Sequence, residues 1–141
     1  MDKIYISWEE FHKDTKSLCE KIKASGSYDK IIAVSRGGLV PAGIVSYELG
    51  LRNVETVNVR SYDDGKEGRN DEVIYTSNVG EVNEKTLVID DLSDTGNTFR
   101  LLKGLFPQAK FITVYAKPEG VSEPDIFEKK LPDKWIVFPW D

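Results

Sequence analysis

The sequence predicts one α/β domain over residues 1–141, built on a mostly parallel sheet flanked by helices. Two observations predict this class. Short apolar runs rich in β-branched residues alternate with segments of helical periodicity, and such runs are typical of parallel strands that are buried on both faces. The chain of 141 residues, 40% of them hydrophobic, has the length of one ordinary domain and no internal repeat or linker.

The N-terminal half predicts a helix, a strand and a second helix. Ser7 lies three residues before Glu10, as in a capping box, and the helix that starts there is expected to end at Gly26. The residues at helical spacing on its apolar face are Phe11, Thr15, Leu18 and Ile22. The run over 31–34 predicts a strand, and the apolar segment after its glycine loop predicts a helix that ends at Gly50.

The rest of the chain continues this alternation. Strands are predicted over 54–60 and 71–77, with a polar segment over 62–71 between them. A fully apolar strand follows and is expected to end on Asp90 and Asp91. A helix that Pro107 stops, a strand over 111–116 and the closing stretch DKWIVFPWD complete the order.

Composition limits the partners and the compartment. The chain has a net charge of −5, which argues against general affinity for nucleic acid or an anionic membrane. Its one cysteine, Cys19, cannot form an internal disulfide. The first residues lack the features of a signal peptide, and no apolar run approaches the roughly 20 residues that span a bilayer. We therefore expect a cytoplasmic protein without nucleic-acid or integral membrane contacts.

Three loops with unusual content leave strand ends that we expect at one edge of the sheet. They are SRGG after Val34, DDLSDTGNT after Ile89 and KPEG after Ala116. Ligands of open parallel sheets bind beyond the carboxyl ends of the strands, where such loops converge. The functional site is expected there.

The stretch DTGNT, from Asp94 to Thr98, predicts a cradle for a monophosphate. Its small residues and glycine lie where a helix begins, so that backbone N–H groups and the positive end of the helix dipole face an anion. A simple helix cap, in which Asp94 or Thr95 satisfies backbone donors, is the structural alternative. The chain contains neither a Walker loop nor G-x-G-x-x-G, which argues against an NTPase or a dinucleotide site.

The charged residues beside this loop indicate a phosphorylated sugar rather than a bare phosphate. Asp90 and Asp91 suit ribose hydroxyls and Mg²⁺, because carboxylates accept hydrogen bonds and attract hard cations. Arg36 is suited to phosphate oxygens, and Gly37 lets the backbone approach a ligand closely. Lys117 supplies an ammonium at the third strand end. Taken singly, Arg36 and Lys117 also fit solvated surface residues.

Response-regulator receiver domains also combine an acidic pair with a Lys-Pro dipeptide. In those domains a phospho-accepting aspartate lies on a strand between the acidic pair and the lysine. Here Asp91 and Lys117 are only 26 positions apart, which leaves no room for that strand. The spacing excludes a receiver domain.

The stretch VIDDLSDTGNT resembles the phosphoribosyl pyrophosphate (PRPP) binding motif of type I phosphoribosyltransferases. IIAVSRGGLVPAG, YAKPEG and WIVFPWD are further similar to the bacterial xanthine-guanine branch of that family. The order and spacing hold from about Tyr5 to Asp141, so the resemblance covers nearly the whole chain. It implies the fold of that family, with a small hood from the chain ends, and a homo-oligomer, either a dimer or a tetramer.

The implied activity is purine salvage. Such enzymes transfer ribose 5-phosphate from Mg²⁺-bound PRPP to a 6-oxopurine, giving a nucleoside 5'-monophosphate and pyrophosphate. The residues that the resemblance assigns to PRPP are Arg36, Gly37, Arg69, Asp90, Asp91, Asp94, Thr95, Gly96, Asn97 and Thr98. The residues that it assigns to the purine are Lys117, Trp135, Ile136 and Asp141.

The resemblance also implies individual roles. Asp94 is expected to take the proton of the incoming base, and Asp90 and Asp91 are expected to hold the metal. The peptide between Ser35 and Arg36 is expected to be cis. Arg69 is expected to contact phosphate from segment 62–71, which would close over the reaction as a flap.

Two positions depart from the resembling enzymes. Asn97 stands where glycine is usual, and asparagine tolerates a left-handed backbone. Val137 and Phe138 replace a polar pair beside the base, so the preferred base among guanine, xanthine and hypoxanthine stays open. An ammonium donates hydrogen bonds and accepts none, so Lys117 favours a 6-oxo group over the 6-amino group of adenine.

Two further functions stay as alternatives. A regulator with this fold would bind PRPP or a nucleotide without catalysis, but the acidic pI of about 5.0 and the absence of a basic extension argue against a nucleic-acid surface. An enzyme for a pyrimidine base is disfavoured by Lys117 and by the closing tryptophan-containing strand.

Overall fold

The computed structural model describes residues 2–62, 70–76 and 79–141. The described elements are β1 (Lys3–Tyr5), α1 (Trp8–Ser25), β2 (Lys30–Ser35), α2 (Leu39–Leu49), β3 (Val54–Tyr62), β4 (Asn70–Thr76), β5 (Thr86–Ser93), α3 (Asn97–Leu105), β6 (Lys110–Ala116), β7 (Ile126–Lys130) and β8 (Trp135–Val137). None of the helices in these ranges is long and apolar enough to cross a membrane.

Six strands form the main sheet in the order β4-β3-β2-β5-β6-β7. All neighbouring pairs are parallel except β3 with β4, which is antiparallel. Helices α1 and α2 pack on one face with the larger core cluster, and α3 lies over the other. The predicted class, a mostly parallel sheet flanked by helices, is confirmed.

The central strands are buried because their sequences are apolar throughout. Ile31, Ile32, Leu87, Val88 and Ile89 have no exposed surface. Alternate side chains of each strand point to opposite faces of the sheet, which is why Ile31 joins the larger core cluster and Ile32 the smaller one. Because the central strands are apolar, the polar residues of this region lie in the loops that follow the carboxyl ends of the strands.

The two chain ends form the small hood that the resemblance implies. β1 and β8 pair in parallel as a separate two-stranded sheet, with Ile4 opposite Ile136. After β8, Phe138 and Trp140 stack with ring centroids 4.7 Å apart, and Trp140 meets the edge of Phe11 on α1 at 4.9 Å. Aromatic packing therefore attaches the hood to the first helix.

Helix α1 begins and ends as its sequence predicts. The Ser7 hydroxyl oxygen accepts a hydrogen bond from the Glu10 backbone N–H at 3.1 Å, and Gly26 follows the last turn. The predicted face is buried, together with Cys19. The hydroxyl of Tyr115 on β6 donates to the Asp14 carboxylate at 2.6 Å and ties the helix to the sheet.

The boundaries differ from the predictions in two ways. Strands β1 and β7 were not predicted, and β5 runs through Ser93 instead of ending on the two aspartates. β5 is longer because β6 continues to pair with it, with Leu92 opposite Tyr115 and Ser93 opposite Ala116. Its pairing with β2 ends earlier, at Ala33 and Ile89. Asp90 and Asp91 therefore lie on a part of β5 that pairs with β6 but no longer pairs with β2.

The buried thiol of Cys19 makes the stability of the fold depend on pH. Burial raises the pKa of this thiol from 9.0 to about 11. The folded protein holds the proton more tightly than the unfolded chain, so this stability is complete below about pH 9 and is lost as the pH rises toward 11. Urea titrations at about pH 7.5 and about pH 10.5 should show a loss of roughly 2 kcal/mol from this group.

Cys19→Ala is the control for that experiment. Its free energy of unfolding will be lower at both pH values because of the cavity, but the drop between them should be smaller than in the unchanged protein. An equal drop in both proteins would show that Cys19 is not the source.

Candidate active site

The carboxyl ends of β2 and β5 open into a cavity of about 550 Å³. Four predicted site residues line it, namely Arg36, Gly37, Asp91 and Asp141. The other lining residues are Leu39, Val40, Phe138 and Trp140. One cationic side chain, two acidic side chains and an aromatic wall thus share one space, which suits a ligand with both phosphate and ring parts.

The glycine loop approaches Asp91 so closely that no side chain fits between them. A Cβ added to Gly37 would lie 2.5 Å from Asp91 Oδ2 and 2.8 Å from its Cγ. The peptide between Ser35 and Arg36 is cis, as the resemblance implies. Gly37 is therefore required for contact between the loop and the carboxylate.

The carboxyl group of Asp91 is in an environment that favours a cation partner. Burial raises the pKa of Asp91, since water is excluded from its charged form. The Asp90 Oδ1 accepts the Asp91 backbone N–H at 2.8 Å, which fixes the pair relative to each other. Two adjacent carboxylates of this kind fit Mg²⁺, which commonly binds one or two carboxylates and keeps its other positions for water and phosphate.

A complete metal cage is not present among the described residues. No group of three or more His, Cys, Asp or Glu side chains in 2–62, 70–76 and 79–141 is placed to hold a metal ion.

The loop from Asp94 to Thr98, which the sequence predicts to bind phosphate and which is called the phosphate loop below, turns at Gly96, immediately before α3. Gly96 has a φ of 90°, a value that favours glycine. The Thr95 hydroxyl oxygen accepts the Asn97 backbone N–H at 3.2 Å, so the capping alternative holds in part for Thr95. Asp94 forms an ion pair with Lys117. The loop from Asp94 to Thr98 thus forms the turn that leads into the helix.

The reason given for tolerance of Asn97 was wrong. No residue other than glycine has a positive φ in the described part of the chain. Asn97 is the first residue of α3, and its side-chain oxygen accepts a hydrogen bond from the Arg100 guanidinium. The left-handed geometry is at Gly96, so the loop does not use the conformational tolerance of asparagine.

Lys117 is buried beside Asp94 at the third strand end. The Lys117 Nζ lies 3.4 Å from Asp94 Oδ1, and the two side chains are 8% and 55% exposed. The Lys117 backbone N–H donates to the Ser93 carbonyl at 3.0 Å, which joins the β6 loop to the phosphate loop. A buried ammonium held by a carboxylate is not a solvated surface lysine, so that alternative is excluded.

Of the thirteen predicted site residues that the structure describes, nine do not line this cavity, namely Asp90, Asp94, Thr95, Gly96, Asn97, Thr98, Lys117, Trp135 and Ile136. The side chain of Trp135 is 59% exposed, and Ile136 is 6% exposed within the larger core cluster. Arg69 lies outside the described residues, as does most of the predicted flap. The predicted site residues also did not include four residues of the cavity wall, Leu39, Val40, Phe138 and Trp140, and among these only the aromatic spacing in FPW was a visible signal.

A phosphoribosyltransferase is the class of protein that this fold and this site define. The family model described as "Phosphoribosyl transferase domain" matches residues 4–141. The chain therefore belongs to the phosphoribosyltransferase family, and the resemblance read from its motifs is confirmed.

Individual relatives are similar over nearly the whole chain. The chain is 49% identical to a xanthine-guanine phosphoribosyltransferase of Idiomarina loihiensis over 138 residues, which is 97% of this chain and 86% of that protein. A purine phosphoribosyltransferase structure from Pyrococcus horikoshii has a TM-score of 0.84 at 30% identity and covers 100% and 95% of the two chains. A xanthine-guanine-hypoxanthine phosphoribosyltransferase structure from Helicobacter pylori has a TM-score of 0.79 at 26% identity and covers 99% and 94%.

Proposed function

We propose that this enzyme acts in purine salvage by transferring ribose 5-phosphate from PRPP to a 6-oxopurine, namely guanine, xanthine or hypoxanthine. The products are a nucleoside 5'-monophosphate and pyrophosphate. The observation that carries the proposal is the ion pair between the buried Lys117 and the exposed Asp94, which joins the phosphate loop to the third strand end, on a chain that is 49% identical to a xanthine-guanine phosphoribosyltransferase. A donor for a 6-oxo group and a proton acceptor are thus side by side.

The reaction exchanges one bond at the ribose for another. The bond from the anomeric carbon to the pyrophosphate oxygen breaks, and the leaving pyrophosphate takes its electron pair. A ring nitrogen of the purine forms the new bond and loses a proton. Positive charge develops on the ribose and negative charge on the leaving group, so groups of opposite sign at the two ends lower the barrier.

Asp94 is the residue that we assign to the proton of the purine. Its carboxylate is exposed at 55% and is in contact with the Lys117 ammonium, which orients it without covering it. A carboxylate in this position can accept the proton as the bond to ribose forms. Lys117 at the same time offers a hydrogen bond that a 6-oxo group accepts.

The loops of β2 and β5 are assigned to PRPP. Arg36 and Gly37 border the cavity and are assigned to the pyrophosphate, while Asp90 and Asp91 are assigned to the ribose hydroxyls and to Mg²⁺. When bound, Mg²⁺ would offset the negative charge of the leaving pyrophosphate. The loop from Asp94 to Thr98 is assigned to the 5'-phosphate, with its backbone N–H groups at the start of α3.

The purine is assigned to Lys117, the exposed Trp135, Ile136 and Asp141. Asp141 accepts the Phe138 backbone N–H at 2.9 Å, so the end of the hood keeps a fixed shape beside the cavity. Ile136 is buried, and we therefore assign its backbone rather than its side chain to the base.

Lys117→Ala should weaken the use of 6-oxopurines selectively. We expect kcat/KM for guanine to fall about 10- to 100-fold, the effect of losing one charge-assisted hydrogen bond. The rate with adenine should fall less. Initial rates with guanine, xanthine, hypoxanthine and adenine at saturating PRPP measure the effect.

Two variants sharpen this test. Lys117→Gln offers an acceptor as well as a donor and should raise the rate with adenine relative to guanine. Lys129→Ala removes an exposed lysine 3.8 Å from Glu10 and should leave the base preference unchanged. An equal loss with every base in Lys117→Ala would contradict the assignment of Lys117 to the 6-oxo group.

The test of the proposed function is a product assay with Mg²⁺ and PRPP. Guanine, xanthine, hypoxanthine, adenine and uracil are offered in separate reactions, and pyrophosphate and nucleotide are quantified. We expect product with at least one 6-oxopurine, a far slower reaction with adenine, and none with uracil. Saturable binding of PRPP without product from any base would overturn the proposed reaction and favour the regulator.

We further propose a cytoplasmic homo-oligomer, which has the support of the family resemblance. Light scattering on the purified protein should give the mass of a dimer or a tetramer of the 15.9 kDa chain.

A further inference from the structure

Arg100, on the first turn of α3, reaches back over the phosphate loop. Its Nη2 donates to the Thr95 carbonyl oxygen at 3.1 Å and also to the side-chain oxygen of Asn97. Its Nη1 lies 3.3 Å from Glu123 Oε2. One guanidinium thus binds two residues of the loop and one residue of the turn after β6.

Glu123 fixes the position of this guanidinium. Its side chain is 17% exposed and also meets the Lys103 Nζ at 3.4 Å, while the same ammonium donates to the Glu123 carbonyl at 2.6 Å. A Cβ on Gly96 would lie 2.6 Å from Glu123 Cγ and 3.0 Å from Arg100 Nη1. The turn of the phosphate loop is therefore packed beneath the Arg100–Glu123 pair.

The opposite end of the loop is fixed by different contacts. The Ser93 hydroxyl donates to the Gly120 carbonyl at 2.7 Å, and the Lys117 backbone N–H donates to the Ser93 carbonyl at 3.0 Å. A Cβ on Gly120 would lie 2.6 Å from Ser93 Oγ. The segment 117–123 thus holds the start of the loop through Ser93 and its turn through Arg100.

We propose that Arg100, anchored by Glu123, is a positioning residue that orients the backbone N–H groups of loop 94–98 toward the 5'-phosphate. In a trans peptide the C=O and N–H groups point in opposite directions. The bond from Arg100 to the Thr95 carbonyl therefore turns the Gly96 N–H away from Arg100, toward the side where the phosphate is assigned. The inference rests on the proposed function.

The charge of Arg100 is largely offset by Glu123, so we assign its effect to geometry rather than to attraction. A guanidinium donates through a planar fork to several acceptors at once, whereas a lysine ammonium cannot span the same three groups. Arg100→Lys keeps the charge and loses the fork. Geometry and attraction therefore predict different results for this substitution.

The experiment measures equilibrium binding of PRPP with Mg²⁺, of ribose 5-phosphate and of pyrophosphate by calorimetry. Arg100→Ala and Arg100→Lys should both raise the Kd of the two sugar phosphates about tenfold, the effect of one lost charge-assisted hydrogen bond. The Kd of pyrophosphate, assigned to the loop of Arg36, should change less than about twofold. In steady-state assays KM for PRPP should rise with little change in kcat.

The control variant is Arg52→Ala. It removes an exposed arginine just before β3, at the amino ends of the strands and therefore at the end of the sheet opposite the site loops. It should leave all three Kd values unchanged. Wild-type affinity in Arg100→Lys, or an equal loss for pyrophosphate, would overturn the positioning role. Binding is measured directly and does not depend on turnover. If the protein binds ribose 5-phosphate but forms no nucleotide, the proposed reaction is wrong, and the Kd values still test the role of Arg100.

Glu123→Ala provides a second variant on the same assignment. It should raise the Kd of ribose 5-phosphate in the same direction as Arg100→Ala, and the double variant should be little worse than Arg100→Ala alone, because the two residues act as one unit. Fully additive effects would show that Glu123 does not act through Arg100.

Discussion

Asp94→Asn is expected to lower kcat roughly 100-fold or more while PRPP still binds. Asparagine keeps the shape of the side chain and an oxygen that can accept from Lys117, but it cannot take a proton from the purine. The ion pair of Lys117 Nζ with Asp94 Oδ1 at 3.4 Å marks this carboxylate as the group beside the assigned base position. Stopped-flow or steady-state rates with guanine, together with the Kd of PRPP, measure the effect.

A comparison of guanine with a more acidic guanine analogue separates an effect on proton transfer from an effect on the shape of the loop. A guanine analogue with a more acidic ring N–H needs less help from a base, so its rate should fall less in Asp94→Asn than the rate of guanine. Asp133→Asn, an exposed aspartate before β8, should leave both rates unchanged. An unchanged kcat in Asp94→Asn would remove the role, and a Kd of PRPP that rises as much as kcat falls would assign Asp94 to the loop instead.

Much of the fold was predictable because its central elements carry strong local signals. The continuous apolar runs of β2, β5 and β6 and the capping box at Ser7 each agree with the global arrangement. The missed strands carry weak signals. β1 has three residues and pairs with β8 across almost the whole chain, and β7 reads IFEKK, with charges typical of a protected sheet edge.

The site was predictable where its chemistry lies in one short stretch. Asp90, Asp91 and the loop from Asp94 to Thr98 lie close together in the sequence, and a strand that leads into a helix is a pattern from which a ligand site can be predicted. The cavity wall carried only the weak signal of the aromatic residues in FPW, because Phe138 and Trp140 pack against each other and against Phe11 near the other chain end. The Arg100–Glu123 pair joins α3 to the turn after β6, and no local sequence pattern indicates it.

Gly37→Ala is expected to lower kcat/KM for PRPP roughly 100-fold, the cost of displacing a site group by about 1 Å. The added Cβ would lie 2.5 Å from Asp91 Oδ2, a separation that real Cβ atoms essentially never show. The backbone of Asp91 cannot shift to relieve this contact, because the neighbouring residues Asp90 and Leu92 pair with β6. Either its carboxylate rotates or the loop retreats.

The loop has little freedom to retreat. The Gly38 backbone N–H donates to the Val34 carbonyl at 2.8 Å, and a Cβ on Gly38 would lie 2.6 Å from the same oxygen. Whichever group moves, the relative position of Arg36 and Asp91 in the cavity wall changes. The apparent affinity for Mg²⁺ in the assay should fall together with kcat/KM for PRPP, because the displaced carboxylate is assigned to the metal.

Gly43→Ala on α2 is the matched control for Gly37→Ala. Apart from the adjacent residues and the backbone of α2 itself, no atom lies within 4 Å of a Cβ added there, so the same substitution should raise the free energy of unfolding by about 0.5–1 kcal/mol through helix propensity and leave the rate unchanged. Thermal unfolding of both variants separates loss of fold from loss of site. Wild-type kcat/KM in a folded Gly37→Ala protein would mean that Asp91 can leave its present position without cost, and its assignment to ribose and metal would then be wrong.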